Sequence, residues 1–382
     1  MTNSNSNFST SQKPRRIIFT VTNDLTYDRR MLRICTSLAT AGFDICLVGR
    51  KLPSSQPFDN QHITSHRLRL FFQKGKLFYI EYNLRLFFWL LVQRFDIVCA
   101  IDLDTILPCL FVKILRGGEI VYDAHELFSE TPEVVRRPAI RRVWLAVEKF
   151  TLSKISHRYT VSQSIADEFF RRYKTPFEVI KNLPNRSIAS DSKRVSRSDA
   201  SSYVILYQGA LNEGRGLETA ISAMRYIDAE FWLVGEGDLS DILRGQVADQ
   251  NLTAKVKFLG FVPPAQLSEI TEQADIGLLI LEDKGLSYRY SLANKFFDYI
   301  QAEVPQIFTQ LPEYQRFNAE FNVGLMIPNT DETVFVEAVN RLLNDADLYK
   351  TLKENCRRAA EILCWENEER KLIDYYKKIA TI

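Results

Sequence analysis

The chain has 382 residues, of which 46% are hydrophobic and 25% are charged, and its formal net charge is +2. This length predicts about two domains, because a single hydrophobic core rarely serves so long a chain. The composition excludes a disordered or fibrous protein, and the near balance of charge gives no indication of nucleic-acid binding. The six cysteines lack metal-ligand or disulfide spacing, so we expect reduced thiols and no zinc.

The first part of the chain predicts a loose tail over residues 1–14, since this stretch is polar and lacks the apolar core of a secretion signal. The longest apolar run, residues 86–92, has seven residues, whereas a membrane-spanning helix needs about 20. We therefore expect a cytoplasmic protein that does not cross a membrane.

From residue 15 the chain alternates β-branched runs with segments of helical period, a pattern typical of parallel sheets covered by helices. The first strand is followed by a helix whose apolar face carries Met31, Ile34, Cys35 and Leu38. These repeats predict a first α/β domain over residues 15–184. Its strands are predicted at residues 15–22, 43–49, 96–102, 119–125, 157–162 and 177–182.

A serine-rich, charged stretch at residues 185–202 has no apolar period and predicts an exposed linker. A second α/β domain is predicted over residues 203–365. The last segment, residues 366–382, is amphipathic, and we expect this helix to pack back on the first domain. The strands of the second domain are predicted at residues 203–210, 230–235, 255–260, 275–281, 305–310 and 322–328.

Residues 290–305 read as one helix with Ser291, Asn294, Lys295 and Asp298 along a single polar stripe. The stripe either faces solvent or lines a site, and the aromatic character of the other faces favours a site. A lysine beside a carboxylate suits a ligand that carries both negative charge and hydroxyl groups.

A glycine-rich turn follows the first strand of the second domain. Gly209, Gly214 and Gly216 let a ligand approach the backbone, and the helix that follows offers N–H groups and a positive dipole to a phosphate. Arg215 adds a cationic fork, although the glycines are also explained by turn conformation alone. The sequence lacks a Walker loop and a G-x-G-x-x-G after the first strand of either domain, which argues against an ATPase and an NAD-dependent dehydrogenase.

Asp123, His125 and Glu126 stand at the end of a predicted strand, where open α/β sheets bind ligands. A lone histidine is more often structural, but its two carboxylate neighbours favour a function. The loop after the first strand carries Asp24, Asp28 and Arg30, which are either ligand contacts or helix-capping groups.

Residues 68–91 are basic and aromatic. Such a stretch either rests on the inner face of a membrane, near a lipid-linked acceptor, or forms a core-facing helix pair, which we favour. The basic runs 136–142 and 171–174 either add to that surface or are solvated faces.

From about Arg16 to Tyr376 the chain resembles the GT-B glycosyltransferases, in particular the retaining glycosyltransferase family 4. The resemblance implies an α/β fold of two Rossmann-like domains facing across a central cleft. It also implies transfer of a sugar from a nucleoside-diphosphate sugar to a glycan or lipid-linked acceptor, without a metal or other cofactor and without nucleic acid.

The resemblance assigns roles to individual residues. Arg215-Gly216 matches the family's diphosphate-binding loop, Lys295 a lysine on the same diphosphate, Asp298 a carboxylate on the ribose, and His125 a histidine near the transferred sugar. His125, Arg215 and Lys295 are thus the expected catalytic residues. The expected substrate contacts are Asp298, Gly209, Gly214, Gly216, Ser291, Asn294, Asp123 and Glu126.

Two positions depart from the family pattern. Tyr290 replaces the first glutamate of the family's E-x7-E signature, and Ala210 replaces an arginine. Glu282 or the amides of residues 285–287 would then supply the sugar contact. Two alternatives stay open, namely a sugar-nucleotide epimerase of the same fold and a non-catalytic sugar-nucleotide-binding protein.

Overall fold

The structure is a computed structural model that describes residues 14–58, 60–187 and 202–381. The predicted tail up to residue 13 and most of the predicted linker lie outside the described residues. The described chain forms two β-sheets with helices between their strands, as the alternating pattern predicts.

The first sheet has seven strands in the order β3-β2-β1-β4-β5-β6-β7. They are β1 (Arg16–Asp24), β2 (Asp44–Lys51), β3 (Ile63–Arg69), β4 (Ile97–Ile101), β5 (Glu119–Ala124), β6 (His157–Thr160) and β7 (Glu178–Val179). The inner strand β1 pairs in parallel with β2 and with β4, which is the arrangement of a Rossmann-like domain.

The second sheet has six strands in the order β10-β9-β8-β11-β12-β13. They are β8 (Tyr203–Gln208), β9 (Ala229–Val234), β10 (Val256–Gly260), β11 (Ile276–Leu279), β12 (Gln306–Thr309) and β13 (Gly324–Ile327). Its central strand β8 pairs in parallel with β9 and β11, so this sheet repeats the Rossmann-like arrangement.

The helices of the first 187 residues are α1 (Arg29–Thr40), α2 (Gly75–Val92), α3 (Ile106–Arg116), α4 (Pro132–Val135), α5 (Pro138–Leu152) and α6 (Gln163–Tyr173). Those that follow are α7 (Leu217–Ala223), α8 (Ser240–Asp249), α9 (Pro264–Thr271), α10 (Leu286–Arg289), α11 (Asn294–Gln301), α12 (Pro312–Phe321), α13 (Glu332–Asn344), α14 (Ala346–Ile362) and α15 (Trp365–Ala380).

The chain divides into two compact units. Of the described residues, one unit holds those up to Asp123 together with Val147–Arg158 and those from Leu372, and the other holds Ala124–Ala146 and Tyr159–Lys371. The predicted bounds of the domains at residues 184 and 203 stay predictions.

The core of the first unit forms around β1, whose residues Ile17, Ile18 and Phe19 are fully buried. The apolar face predicted for the first helix is confirmed, since Met31, Ile34, Cys35 and Leu38 of α1 are all fully buried. Within the same unit, the ring of Tyr376 from α15 lies 5.8 Å from the ring of Phe19.

In the second unit, Tyr299 fastens α11 to the sheet. Its buried hydroxyl donates to the carbonyl oxygen of Leu206 on β8 at 3.0 Å and lies 3.3 Å from that of Leu278 on β11. Gly277 makes room for this ring, because a Cβ there would lie 2.5 Å from it. The helix that carries Lys295 and Asp298 therefore has a fixed place over the strands.

The structure differs from the prediction at three elements. Strand β3 was not predicted, and the strand predicted at 177–182 shrinks to Glu178–Val179. The single helix predicted at 290–305 is wrong, because α10 ends at Arg289 and α11 begins at Asn294. Between them Ser291 donates from its hydroxyl to the Tyr288 carbonyl at 2.9 Å, and side-chain bonds of this kind compete with a continuing helix.

The basic and aromatic region, residues 68–91, does not form the core-facing helix pair that we favoured from the sequence. It contains the end of β3 and one helix, α2, with Phe78, Tyr82, Leu86 and Leu90 buried. The opposite side of α2 exposes a second apolar row, which comprises Leu77, Ile80, Leu84 and Phe88. Within the described ranges, no helix is both long and apolar enough to span a bilayer.

Candidate functional site

The site is built at the end of β8, where the chain turns through residues 209–216. Gly209, Gly214 and Gly216 all have positive φ angles, of 128°, 79° and 64°. A Cβ on Gly214 would lie 2.5 Å from the Tyr288 ring, and one on Gly216 would lie 2.9 Å from the carbonyl oxygen of Ile280. Turn conformation and close packing therefore require these glycines, whether or not a ligand approaches them.

Lys295 lies next to this turn, in the first turn of α11. Its side chain is 9% exposed, and its Nζ lies 3.5 Å from the centroid of the Tyr207 ring. A Cβ on Gly209 would be 3.2 Å from the same Nζ. Burial holds the pKa of Lys295 well below its usual value and nearby Arg215 lowers it further, whereas Asp298 acts in the opposite direction. The ammonium is thus costly to maintain until more negative charge arrives.

Arg215 supplies the second cation. Its guanidinium lies 5.0 Å from the centroid of the Tyr288 ring, and its buried Nε has no hydrogen-bond partner in the part of the chain that the structure describes. Two neighbouring cations with unused donors favour an anion with several oxygen acceptors.

Asp298 is oriented by two residues that the sequence analysis did not identify. Gln208 donates from its Nε2 to a carboxylate oxygen of Asp298 at 3.0 Å, and the Thr271 hydroxyl donates to Gln208 Oε1 at 2.8 Å. Gln208 is 2% exposed, so this chain of hydrogen bonds holds the carboxylate from inside the sheet. The available signal was a polar side chain at the end of an otherwise apolar strand.

The predicted polar stripe is not one surface. Lys295 is buried, whereas Asn294 is exposed and its side-chain oxygen accepts from Asn182 at 2.7 Å. Ser291 precedes the helix and bonds to the Tyr288 carbonyl. The structure therefore brings Lys295, Asp298 and Arg215 together and engages Ser291 and Asn294 in local contacts.

Asp123 lies at the end of β5 as predicted, but its side chain is fully buried. Both of its oxygens accept from Nη2 of Arg30, at 2.9 and 3.1 Å. It is seen in an ion pair instead of open to a substrate. After it, His125 is half-buried and Glu126 is exposed.

For the loop after β1, the helix-capping interpretation of its two aspartates is confirmed. Asp28 accepts from the Met31 N–H at 3.1 Å at the start of α1, and Asp24 accepts from the Thr26 N–H at 3.3 Å. Arg30, the third residue of that interpretation, binds Asp123 instead.

Position 290 lacks the glutamate of the family signature. That Glu282 or the amides of residues 285–287 make the sugar contact in its place stays a prediction. Glu282 forms an ion pair with Lys284, and residues 286–289 form α10. The carbonyl of Tyr290 accepts from the Ser162 hydroxyl at 3.3 Å. Across the described ranges, no group of three or more histidine, cysteine or acidic side chains is arranged to hold a metal ion.

Comparison with known proteins supplies the family. Residues 26–186 match the model of the glycosyl transferase 4-like domain, and residues 189–359 match that of the glycosyl transferases group 1. D-inositol 3-phosphate glycosyltransferase from Corynebacterium urealyticum is 25% identical over 136 residues. That match spans 34% of this chain and 30% of the length of the relative.

Solved structures show the same fold over nearly the whole chain. Sucrose-phosphate synthase from Thermosynechococcus elongatus superimposes with a TM-score of 0.80 at 18% identity, covering 96% of this chain and 100% of that one. Anabaena HepE in complex with UDP-glucose gives a TM-score of 0.74 at 14% identity, with coverage of 96% and 100%. With two family models that together reach from residue 26 to residue 359, the chain belongs to the GT-B glycosyltransferases of the glycosyltransferase 4-like type.

Proposed function

We propose that this protein transfers a hexosyl group from a nucleoside-diphosphate sugar to an acceptor hydroxyl, with retention of configuration at the anomeric carbon. The observation that carries the proposal is the convergence of Arg215 and Lys295, two cations without an ion-pair partner among the described residues, on one glycine turn. The family is one of glycosyltransferases, which favours neither the epimerase nor the non-catalytic alternative.

The donor class follows from the charges. Departure of a nucleoside diphosphate builds negative charge on phosphate oxygens, and fixed cations at that place stabilise the transition state more than the ground state. Because HepE is seen with UDP-glucose, a uridine diphosphate sugar is the first donor to test. No metal ion is part of the proposal.

Asp298 is proposed to bind the ribose of the donor. Its carboxylate accepts from Gln208, and a carboxylate can accept several hydrogen bonds, which suits the two hydroxyl groups of a ribose. Gln208 would hold this carboxylate in one orientation for the ribose. His125 is proposed to lie near the transferred sugar, and this role rests on the family resemblance alone.

Two substitutions test the site. Arg215→Ala and Lys295→Ala should each lower kcat by about 10²–10³-fold, the usual effect of removing one donor to a developing anion. Arg225→Ala is the matched control, since Arg225 also stacks on a tyrosine, 5.4 Å from the Tyr226 ring, but lies at the surface. Activity within a few-fold of wild type in both site variants would contradict the proposal.

The reaction class has its own assay. Wild-type protein is incubated with a panel of nucleotide sugars, with and without acceptor fractions of glycan and lipid-linked sugar. Transfer should require both substrates, whereas conversion of the donor alone would indicate an epimerase. Proton NMR of the new glycosidic linkage then reports whether the anomeric configuration is retained.

A membrane-bound acceptor is the proposed partner class. The exposed row on α2, which includes Ile80 and Leu84, is flanked by exposed Lys74 and Lys76. An apolar face with a basic border suits an anionic membrane surface. Ile80→Glu with Leu84→Glu should reduce binding to vesicles that contain phosphatidylglycerol, and Ile242→Glu, at an exposed apolar residue of α8, should not. Equal vesicle binding by wild type, the double variant and Ile242→Glu would refute the proposal that this surface contacts a membrane.

A further inference from the structure

We infer that Tyr207 and Tyr288 are positioning residues that hold the two cations and the glycine turn together as one preformed diphosphate site. The inference rests on the proposed function, because it assigns a purpose to residues that surround the proposed anion site. Neither tyrosine is among the residues that the family resemblance identifies.

The first observation is that each ring carries one cation. Nζ of Lys295 lies 3.5 Å from the Tyr207 ring centroid, and the guanidinium carbon of Arg215 lies 5.0 Å from that of Tyr288. Both distances are within the range of cation–π attraction. The two cations that would meet the diphosphate are therefore both held by aromatic faces.

The second observation is that each hydroxyl holds the turn between those cations. The Tyr207 hydroxyl donates to the Ala210 carbonyl at 2.7 Å, and the Tyr288 hydroxyl donates to the Glu213 carbonyl at 3.0 Å. One tyrosine thus holds the beginning of the turn, and the other holds its middle, two residues before Arg215. Each residue couples the backbone of the turn to one cation.

An aromatic partner has a chemical advantage over a carboxylate at this place. A carboxylate would neutralise the cation and compete with the diphosphate, whereas a ring attracts the cation through its quadrupole and carries no net charge. The side chains of Arg215 and Lys295 can then be ordered before the donor arrives, and the rings do not compete with the diphosphate for them. Such preorganisation lowers the cost of binding.

The glycine at 214 supports the role of Tyr288. A Cβ at this position would lie 2.5 Å from the Tyr288 ring, so the turn leaves just enough space for the ring to reach Arg215. Tyr207 is fully buried whereas Tyr288 is half-buried. Position 288 therefore tolerates substitution better and carries the main test.

The experiment measures UDP binding by titration calorimetry for wild type, Tyr288→Phe and Tyr288→Leu. Tyr288→Leu removes ring and hydroxyl and should weaken UDP binding by about tenfold, while Tyr288→Phe keeps the ring and should lose less. Tyr226→Leu, which removes a tyrosine that carries a cation at the surface, should bind UDP as wild type does. Tyr207→Phe repeats the comparison at the buried position.

Binding of uridine, which lacks the diphosphate, is measured by NMR. It distinguishes positioning of the cations from a general structural role of Tyr288. Because the cations would contact only the diphosphate, Tyr288→Leu should bind uridine as wild type does. Equal weakening of UDP and uridine would overturn the inference, and so would wild-type affinity for UDP in Tyr288→Leu while Arg215→Ala loses binding. If wild type binds none of UDP, GDP and ADP, the proposed function itself fails and the inference fails with it.

Discussion

Lys295 gives the proposed site a distinctive dependence on pH. Burial and the neighbouring Arg215 hold the pKa of its ammonium well below the usual value in the free protein. A bound diphosphate adds negative charge and raises that pKa. Above the free-state pKa the lysine is neutral when the site is empty and charged when the site is filled, so binding takes up one proton.

The sign and magnitude follow from linkage. Affinity for a nucleoside diphosphate should be full below the free-state pKa of Lys295 and should fall as the pH rises through it. For one proton the fall is about tenfold per pH unit, or about 1.36 kcal/mol of binding free energy, until the pH reaches the pKa of the complex.

Calorimetry with UDP in two buffers of different ionisation enthalpy measures this proton uptake directly. The titrations are repeated at a series of pH values from about 7 upwards, because a terminal phosphate with a pKa of about 6 is already ionised there and the series must cross the pKa of Lys295. Lys295→Met has no group to titrate and should take up no proton at this position. Subtracting its proton uptake from that of wild type removes the contribution from ionisation of the nucleotide. The reasoning is refuted if wild type and Lys295→Met show the same proton uptake and the same pH slope.

Two further predictions concern stability and are checked by urea unfolding. Arg30→Met removes the guanidinium that donates to both oxygens of the fully buried Asp123, and should cost about 3–5 kcal/mol. Arg15→Met, which removes an ion pair that is half exposed on the arginine side, should cost less than about 1 kcal/mol, and equal losses would contradict the argument from burial. Gly214→Ala should destabilise by more than about 1 kcal/mol, because its φ is 79° and its Cβ would meet a tyrosine ring. Gly245→Ala, in α8 with open space around the new Cβ, should instead stabilise by up to about 1 kcal/mol.

The positions of the buried strands along the chain could be predicted from the sequence because apolar runs such as β8 have no stable place except a sheet interior. Strand β3 escaped prediction for the opposite reason. In β3 only Ile63 and Leu68 are buried, so its sequence reads as a polar connection. Its position at the edge of the sheet, where one side has no neighbouring strand, explains this composition.

The charged residues of the candidate site could be identified from the sequence. The residues that position them could not. Arg215 and Lys295 stand out because a cation beside glycines or in an aromatic segment is unusual. Gln208 and Asp298 are separated by 90 positions in the chain, and one sequence cannot show that they meet. Tyr207 reads as an ordinary core residue until its hydroxyl and ring face are seen in space.

The attachment of α11 through Tyr299 has a consequence for how the proposed donor site can change. Lys295 lies one helical turn before Tyr299 on the same side of the helix, and the Tyr299 hydroxyl engages carbonyls of two adjacent strands. The helix therefore cannot slide to accommodate a bulkier sugar without breaking buried hydrogen bonds. In the proposed donor site, a new sugar preference should therefore arise first by substitution in the segment before the helix, residues 282–293.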